Sequence, residues 1–207
     1  MKKFLLFALL ILSDASSAQI INIPDSAFKS LLLGAGDEYP NLARNSEGTP
    51  IVIDANNDGE IQIVEALAVW KIEFHFPANP ISTMEGIQHF TNLRTLICNG
   101  AGINVLPLDG LTNLTELECG ANDILSLDLS DCTALRILHC HSNSISALDL
   151  TMFPLLEMVT CSDNQLQSLQ VHGLANLTYL ACSVNELSVL SLAGLTALES
   201  LTCGNNF

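Results

Sequence analysis

The densest run of metal-type oxygen donors is Asp54-Ala55-Asn56-Asn57-Asp58-Gly59-Glu60-Ile61-Gln62-Ile63-Val64-Glu65. Asp54, Asn56 and Asp58 alternate with side chains that cannot ligate as well. Gly59 permits a sharp reversal, and Gln62 and Glu65 bring further oxygens back to the same place. A hard cation such as calcium takes six to eight oxygens, carboxylate, amide and carbonyl alike, so the chemistry expected here is cation binding.

The spacing satisfies D-x-[DN]-x-[DN]-G-x5-E at every specified place and resembles an EF-hand calcium loop. The resemblance implies a calcium cofactor held by Asp54, Asn56, Asp58, the carbonyl of Glu60, Gln62 by way of water, and a bidentate Glu65. Thr49-Pro50-Ile51-Val52-Ile53 looks extended, so the entering EF-hand helix is missing. Only an outgoing helix near Gln62 to Val69 fits. The same residues also make an ordinary Asn-Asp-Gly turn capping a helix, and that alternative stays open.

Two other groups carry reactive side chains. His139 and His141 lie two apart, on one face of a strand beside Glu118, which is metal-like spacing, but no third ligand is evident and two solvated polar residues explain them as well. The seven cysteines would suggest disulfides in an exported chain. Six of them, however, fall one per repeat in the series described next, where they read as small buried apolar groups in their thiol form. No nucleophile elbow, metalloprotease helix or phosphate-binding glycine loop is present, and no enzyme is expected.

What positions these groups is a repeat. Leu93, Leu114, Leu135, Leu156, Leu177 and Leu198 recur every 21 residues. Read from Leu114 the unit is L-x-x-L-x-C-x-x-N-x-I-x-x-L-x-L-x-x-C. Cys98, Cys119, Cys140, Cys161, Cys182 and Cys203 take position 6, Cys132 takes position 19, and Asn122, Asn143, Asn164, Asn185 and Asn206 take position 9. Ala101 breaks the asparagine series, and Asn99 is a candidate to compensate.

The pattern resembles the leucine-rich repeat family in its short bacterial form with cysteine in the strand. It implies a mainly β solenoid: a parallel concave sheet, extended convex legs, and a small helical N-terminal cap. Residues 93–207 follow the repeat strictly, with the last copy incomplete. Val69, Ile72 and Phe74 fit an earlier, degenerate strand, which puts the solenoid at 69–207 and the cap at 19–68. In the cap, Asp25 reads as the N-cap of a short helix ending at Gly34.

Positions 3, 5, 7 and 8 are expected to face outward on the concave side. Position 3 runs Thr95, Glu116, Ile137, Met158, Tyr179, Ser200, and position 5 runs Ile97, Glu118, His139, Thr160, Ala181, Thr202. The candidate ligand-binding residues are therefore Glu116, Glu118, Ile137, His139, His141, Met158, Thr160 and Tyr179: an apolar centre with an acidic flank.

Composition narrows the partners. In 207 residues, 22 acids stand against 7 bases, a formal charge of −15, which excludes a nucleic-acid backbone as the natural ligand. Lys2 and Lys3 followed by the apolar run Phe4 to Leu12, with Ser16-Ser17-Ala18 at a cleavage site, read as a secretory signal peptide over residues 1–18. That run is too short to span a bilayer, and no membrane insertion is expected.

Together with the I-P-D-x-x-F and D-x-N-x-D-G signatures of the cap, these features resemble secreted leucine-rich repeat proteins of Bacteroidota. The resemblance implies a secreted or cell-surface recognition and adhesion module that binds a protein or glycan. The competing expectation is a non-catalytic spacer or targeting arm of a larger secreted enzyme.

Overall fold

The computed structural model describes residues 19–207; residues 1–18, read from the sequence as a signal peptide, lie outside the described residues. Helix α1 (Ser26–Leu33) opens the cap. Asp25 is its N-cap, accepting from the backbone N–H of Ala27 at 3.0 Å and Phe28 at 2.9 Å, and Phe28, Leu31 and Leu32 form its buried face. A short strand β1 (Ala43–Arg44) follows, and then the acidic loop runs into α2 (Ile63–Ala66). α2 is shorter than the expected Gln62 to Val69. The chain leaves the helix early because Trp70 donates its N–H to the Arg44 carbonyl and the backbone must extend into β2 (Lys71–His75).

A single 3-10 turn (Ile87–His89) then leads to the repeating strands: β3 (Thr95–Asn99), β4 (Glu116–Glu118), β5 (Ile137–His139), β6 (Ala147–Asp149), β7 (Met158–Thr160), β8 (Ser168–Gln170), β9 (Tyr179–Ala181) and β10 (Ser200–Thr202). The main sheet has the order β1-β2-β3-β4-β5-β7-β9-β10, with β1 antiparallel at its edge and every other pair parallel. Register is kept at one repeat per strand: Glu116 opposes Ile137, Ile137 opposes Met158, and Met158 opposes Tyr179. No single repeat could bury its leucines. Stacking them places Leu96, Leu117, Leu138, Val159 and Leu180 in one fully buried column, a stability shared between neighbours.

The position-9 asparagines stitch that stack. Asn143 accepts the N–H of Ile124 at 3.0 Å and donates to the carbonyls of Cys119 and Cys140; Asn164 and Asn185 repeat the arrangement one and two turns on. Each amide thereby satisfies backbone groups of its own turn and of the turn before it. Asn122 reaches into the irregular turn in the same way, taking the N–H groups of Ala101 and Ile103. Asn99 does not substitute for the missing amide at 101, because its side chain lies on the concave side, bonded to Gly120 and Glu118.

Position 8 corrects the expected concave face. Phe76, Gly100, Ala121, Ser142, Asp163, Val184 and Asn205 all have left-handed backbone, with φ between 46° and 67°. This residue is the corner where the chain turns out of the strand. Ser142, for example, still donates its N–H to the Ser162 carbonyl while the chain changes direction.

On the return legs β6 and β8 pair as a separate two-stranded parallel sheet, and Thr83 and Val105 form an isolated parallel bridge. The cysteines at position 6 are buried and free, as is Cys132, while Cys203 on β10's turn is exposed, with no further strand beside it among the described residues.

Candidate functional site

Two neighbouring rows cross the strands of the concave sheet. The first is Thr95, Glu116, Ile137, Met158, Tyr179 and Ser200; the second is Ile97, Glu118, His139, Thr160, Ala181 and Thr202. Neighbouring strands stand about 4.8 Å apart, so Ile137, Met158 and Tyr179 form one continuous half-buried apolar strip. Ile97 and Ala181 differ from expectation in being buried. Ile97 is flanked in register by the long side chains of Glu73 and Glu118, and Ala181 is too short to stand clear of its neighbours.

The polar flank is cross-linked. Thr95 donates its Oγ1–H to Glu116 Oε2 at 3.1 Å, Asn99 Nδ2 donates to Glu118 Oε2 at 3.1 Å, and Gly120 N donates to Asn99 Oδ1 at 2.7 Å. His139 Nδ1 lies 2.8 Å from Thr160 Oγ1. His141 is exposed and its ring covers Gly120 so closely that a β-carbon there would meet ring atoms at 2.6 Å. The two histidines therefore have separate partners. Among the described residues no three His, Cys, Asp or Glu side chains stand together in a metal-holding cluster.

Sequence reasoning missed Glu73, His75 and Asn99, which extend this flank. Glu73 pairs with Lys71 at 2.8 Å, and that ion pair, opposed by partial burial, holds its carboxyl below the usual range. With Val69 at position 1 of the degenerate first strand, Glu73 and His75 fall at positions 5 and 7, a consequence of that register that was not carried through to the candidate residues.

The acidic loop of the cap is coiled around Asp54. Its Oδ1 accepts the N–H of Asp58 at 3.1 Å and its Oδ2 that of Gly59 at 2.9 Å, with left-handed backbone at Asn57 and Gly59. The side chains of Asn56, Asp58 and Gln62 converge: Asp58 Oδ2 is 2.9 Å from Asn56 Nδ2 and 2.8 Å from Gln62 Nε2. Glu65, 8% exposed, closes the loop by accepting from Ala55 at 2.8 Å and from Gln62 at 2.9 Å, the second bond forming the capping box of α2. The Glu60 side chain points elsewhere, to Lys29 at 2.7 Å.

These donors suit an oxygen-preferring cation in type and convergence at Asp54, Asn56, Asp58 and Gln62. Glu65 faces backbone N–H groups, and a carboxylate accepting them keeps further lone pairs free.

No protein-family model and no curated protein matches the chain. Solved structures do. An internalin C2 from Listeria monocytogenes aligns with a TM-score of 0.54 and 21% identity, over 90% of this chain and 86% of that one. The fold is a leucine-rich-repeat solenoid. An internalin, InlF, from the same organism aligns at 0.50 and 19%, over 89% of this chain and 64% of that one. The functional domain of its InlJ, described as including a cysteine ladder, aligns at 0.49 and 21%, over 91% of this chain and 49% of that one. The solenoid described here thus spans about half the length of that InlJ domain. Among the described residues no helix is long and apolar enough to cross a membrane.

Proposed function

We propose that this leucine-rich-repeat solenoid is a non-catalytic recognition module acting outside the cell, which binds a protein or glycan ligand through its concave sheet. The observation that carries the reading is the half-buried strip Ile137–Met158–Tyr179 flanked by Glu116, Glu118 and His139, on the face where parallel strands present side chains in register. An apolar centre rimmed by polar groups is the composition of an interaction surface, and solenoids expose such a face along their whole length.

The experiment is capture of ligands from extracellular protein extracts and on a glycan array. The unmodified chain is compared with Met158→Ala/Tyr179→Ala and with the return-leg control Gln167→Ala/Gln170→Ala. Loss of capture in the first variant alone supports the concave face; equal loss in both removes it.

Calcium belongs to the same reading. Asp54, Asn56, Asp58, the Glu60 carbonyl, Gln62 through water and Glu65 would hold it, and the ion would supply positive charge beside the Asp54 and Asp58 carboxylates. Its role there is structural, ordering the cap beside the first turn of the solenoid.

A further inference from the structure

The solenoid has a second surface on its return-leg side. Between the second and third strict repeats the legs are joined by the bond from Ser144 N to the Ile124 carbonyl at 2.9 Å. Beyond it they part. β6 pairs with β8 on one side only, and the segment opposite its other edge, Ser126 to Asp128, belongs to no strand. The parting leaves a cleft of about 490 Å³.

Leu129, Leu148 and Phe153 make its buried apolar floor, with Leu127 half-buried beside them. Met152, 78% exposed, stands at its mouth. The walls carry one carboxylate each, Asp128 and Asp149. Ser130 donates backbone and side-chain hydrogen bonds to Asp128. Thr151 donates likewise to Asp149 from its hydroxyl and backbone, with His172 nearby, so both carboxyls sit below their usual range and are charged at neutral pH. Among the described residues no basic side chain lines the cleft.

We infer that this cleft is a docking surface for a protein segment in which an apolar side chain is flanked by lysine or arginine. The floor is apolar, and the charged groups among the described lining residues, Asp128 and Asp149, are both negative. The chain's overall charge of −15 favours a basic partner at longer range. The surface is separate from the concave rows, so either can fail without the other.

The probe is a blocked hexapeptide of alternating leucine and arginine, titrated into the isotopically labelled protein and followed by methyl and amide NMR. Saturable shifts are expected at Met152, Leu127 and Leu148. Affinity should fall about tenfold in Asp128→Asn/Asp149→Asn, the effect of losing two exposed charge pairs. A leucine–glutamate peptide and a serine–arginine peptide should both bind more weakly. No saturable shift at Met152 at millimolar peptide, equal binding of the leucine–glutamate peptide, or unchanged affinity in the double variant would each overturn the inference.

Discussion

The carboxylate of Asp25 joins two parts of the chain that are 57 residues apart: Oδ1 caps α1, and Oδ2 accepts from both the backbone N–H and the hydroxyl of Ser82, each at 2.9 Å. One side chain thus ends the first helix and fastens it to the return leg of the first turn, where a solenoid would otherwise show a bare apolar edge. Burial raises its pKa, but hydrogen bonds from Phe28, Ser82 and Thr83 outweigh that and hold it below 3.8.

Asp25→Ala is therefore expected to cost about 1–2 kcal/mol, as the loss of an N-cap does. A carboxyl whose pKa is lowered on folding stabilises above its unfolded value and loses that contribution as pH falls through the folded one. Chemical denaturation at pH 7 and at pH 3 tests both parts: the gap between the original chain and Asp25→Ala should narrow at the lower pH.

The cysteine column predicts the opposite sign at high pH. Burial pushes the thiols of Cys98, Cys119, Cys140 and Cys161 far up, Cys132 to about 12 and Cys182 to about 11, from an ordinary 9.0. Above 9.0 the unfolded chain loses these protons and the folded one keeps them. Stability then falls by about 1.4 kcal/mol per pH unit for each such thiol. Denaturation midpoints measured from pH 7 to 10.5 should drop steeply, and Cys140→Ala should show a lower starting stability with a shallower slope. An unchanged slope would contradict the shift.

Calcium is expected to bind once and weakly. A single loop without an entering helix compares with extracellular modules, for which dissociation constants are about 0.1–1 mM. At about 100 times that constant the ion would stabilise the fold by about 2.7 kcal/mol if the unfolded chain binds none. Titration calorimetry of the original chain, Asp58→Asn and Glu65→Gln decides it. Heat that is absent at several millimolar calcium, or unchanged in both variants, would leave Asn57-Asp58-Gly59 an ordinary turn.

Val184 is β-branched and left-handed, with φ of 56°. Such a residue pays a steric cost of about 1–2 kcal/mol there, which asparagine, the residue at the equivalent position 205, avoids in large part. Val184→Asn should raise the unfolding free energy by about 1 kcal/mol, and Ser142→Val should lower it by a similar amount; thermal melts of both variants check the pair.

The repeat made most of this architecture readable. A 21-residue interval with leucine, cysteine and asparagine in fixed places determines which residues face inward and which strands must be parallel, because only that stacking buries every column. What escaped reading depends on geometry that residue type does not reveal. Position 8 holds Phe76, Ala121, Asp163 and Val184 alike, so nothing in their chemistry marks a left-handed corner. Ile97 is covered by the glutamates on either side of it, a property of its row and not of its own repeat. The convergence of Asn56, Asp58 and Gln62 was legible from spacing. The engagement of Glu65 by the Ala55 and Gln62 amides was visible only in the folded loop.

The asparagine stitch gives the solenoid a direction. Asn143 accepts from Ile124, Asn164 from Ile145, Asn185 from Leu166 and Asn206 from Leu187, so each loop is completed by the amide that follows it in the chain. A chain emerging from its N-terminus closes each loop one turn late, like a zip whose slider trails the teeth it joins. Removing a later turn therefore takes the acceptor away from the loop amide of the one before it, at Ile124, Ile145, Leu166 or Leu187.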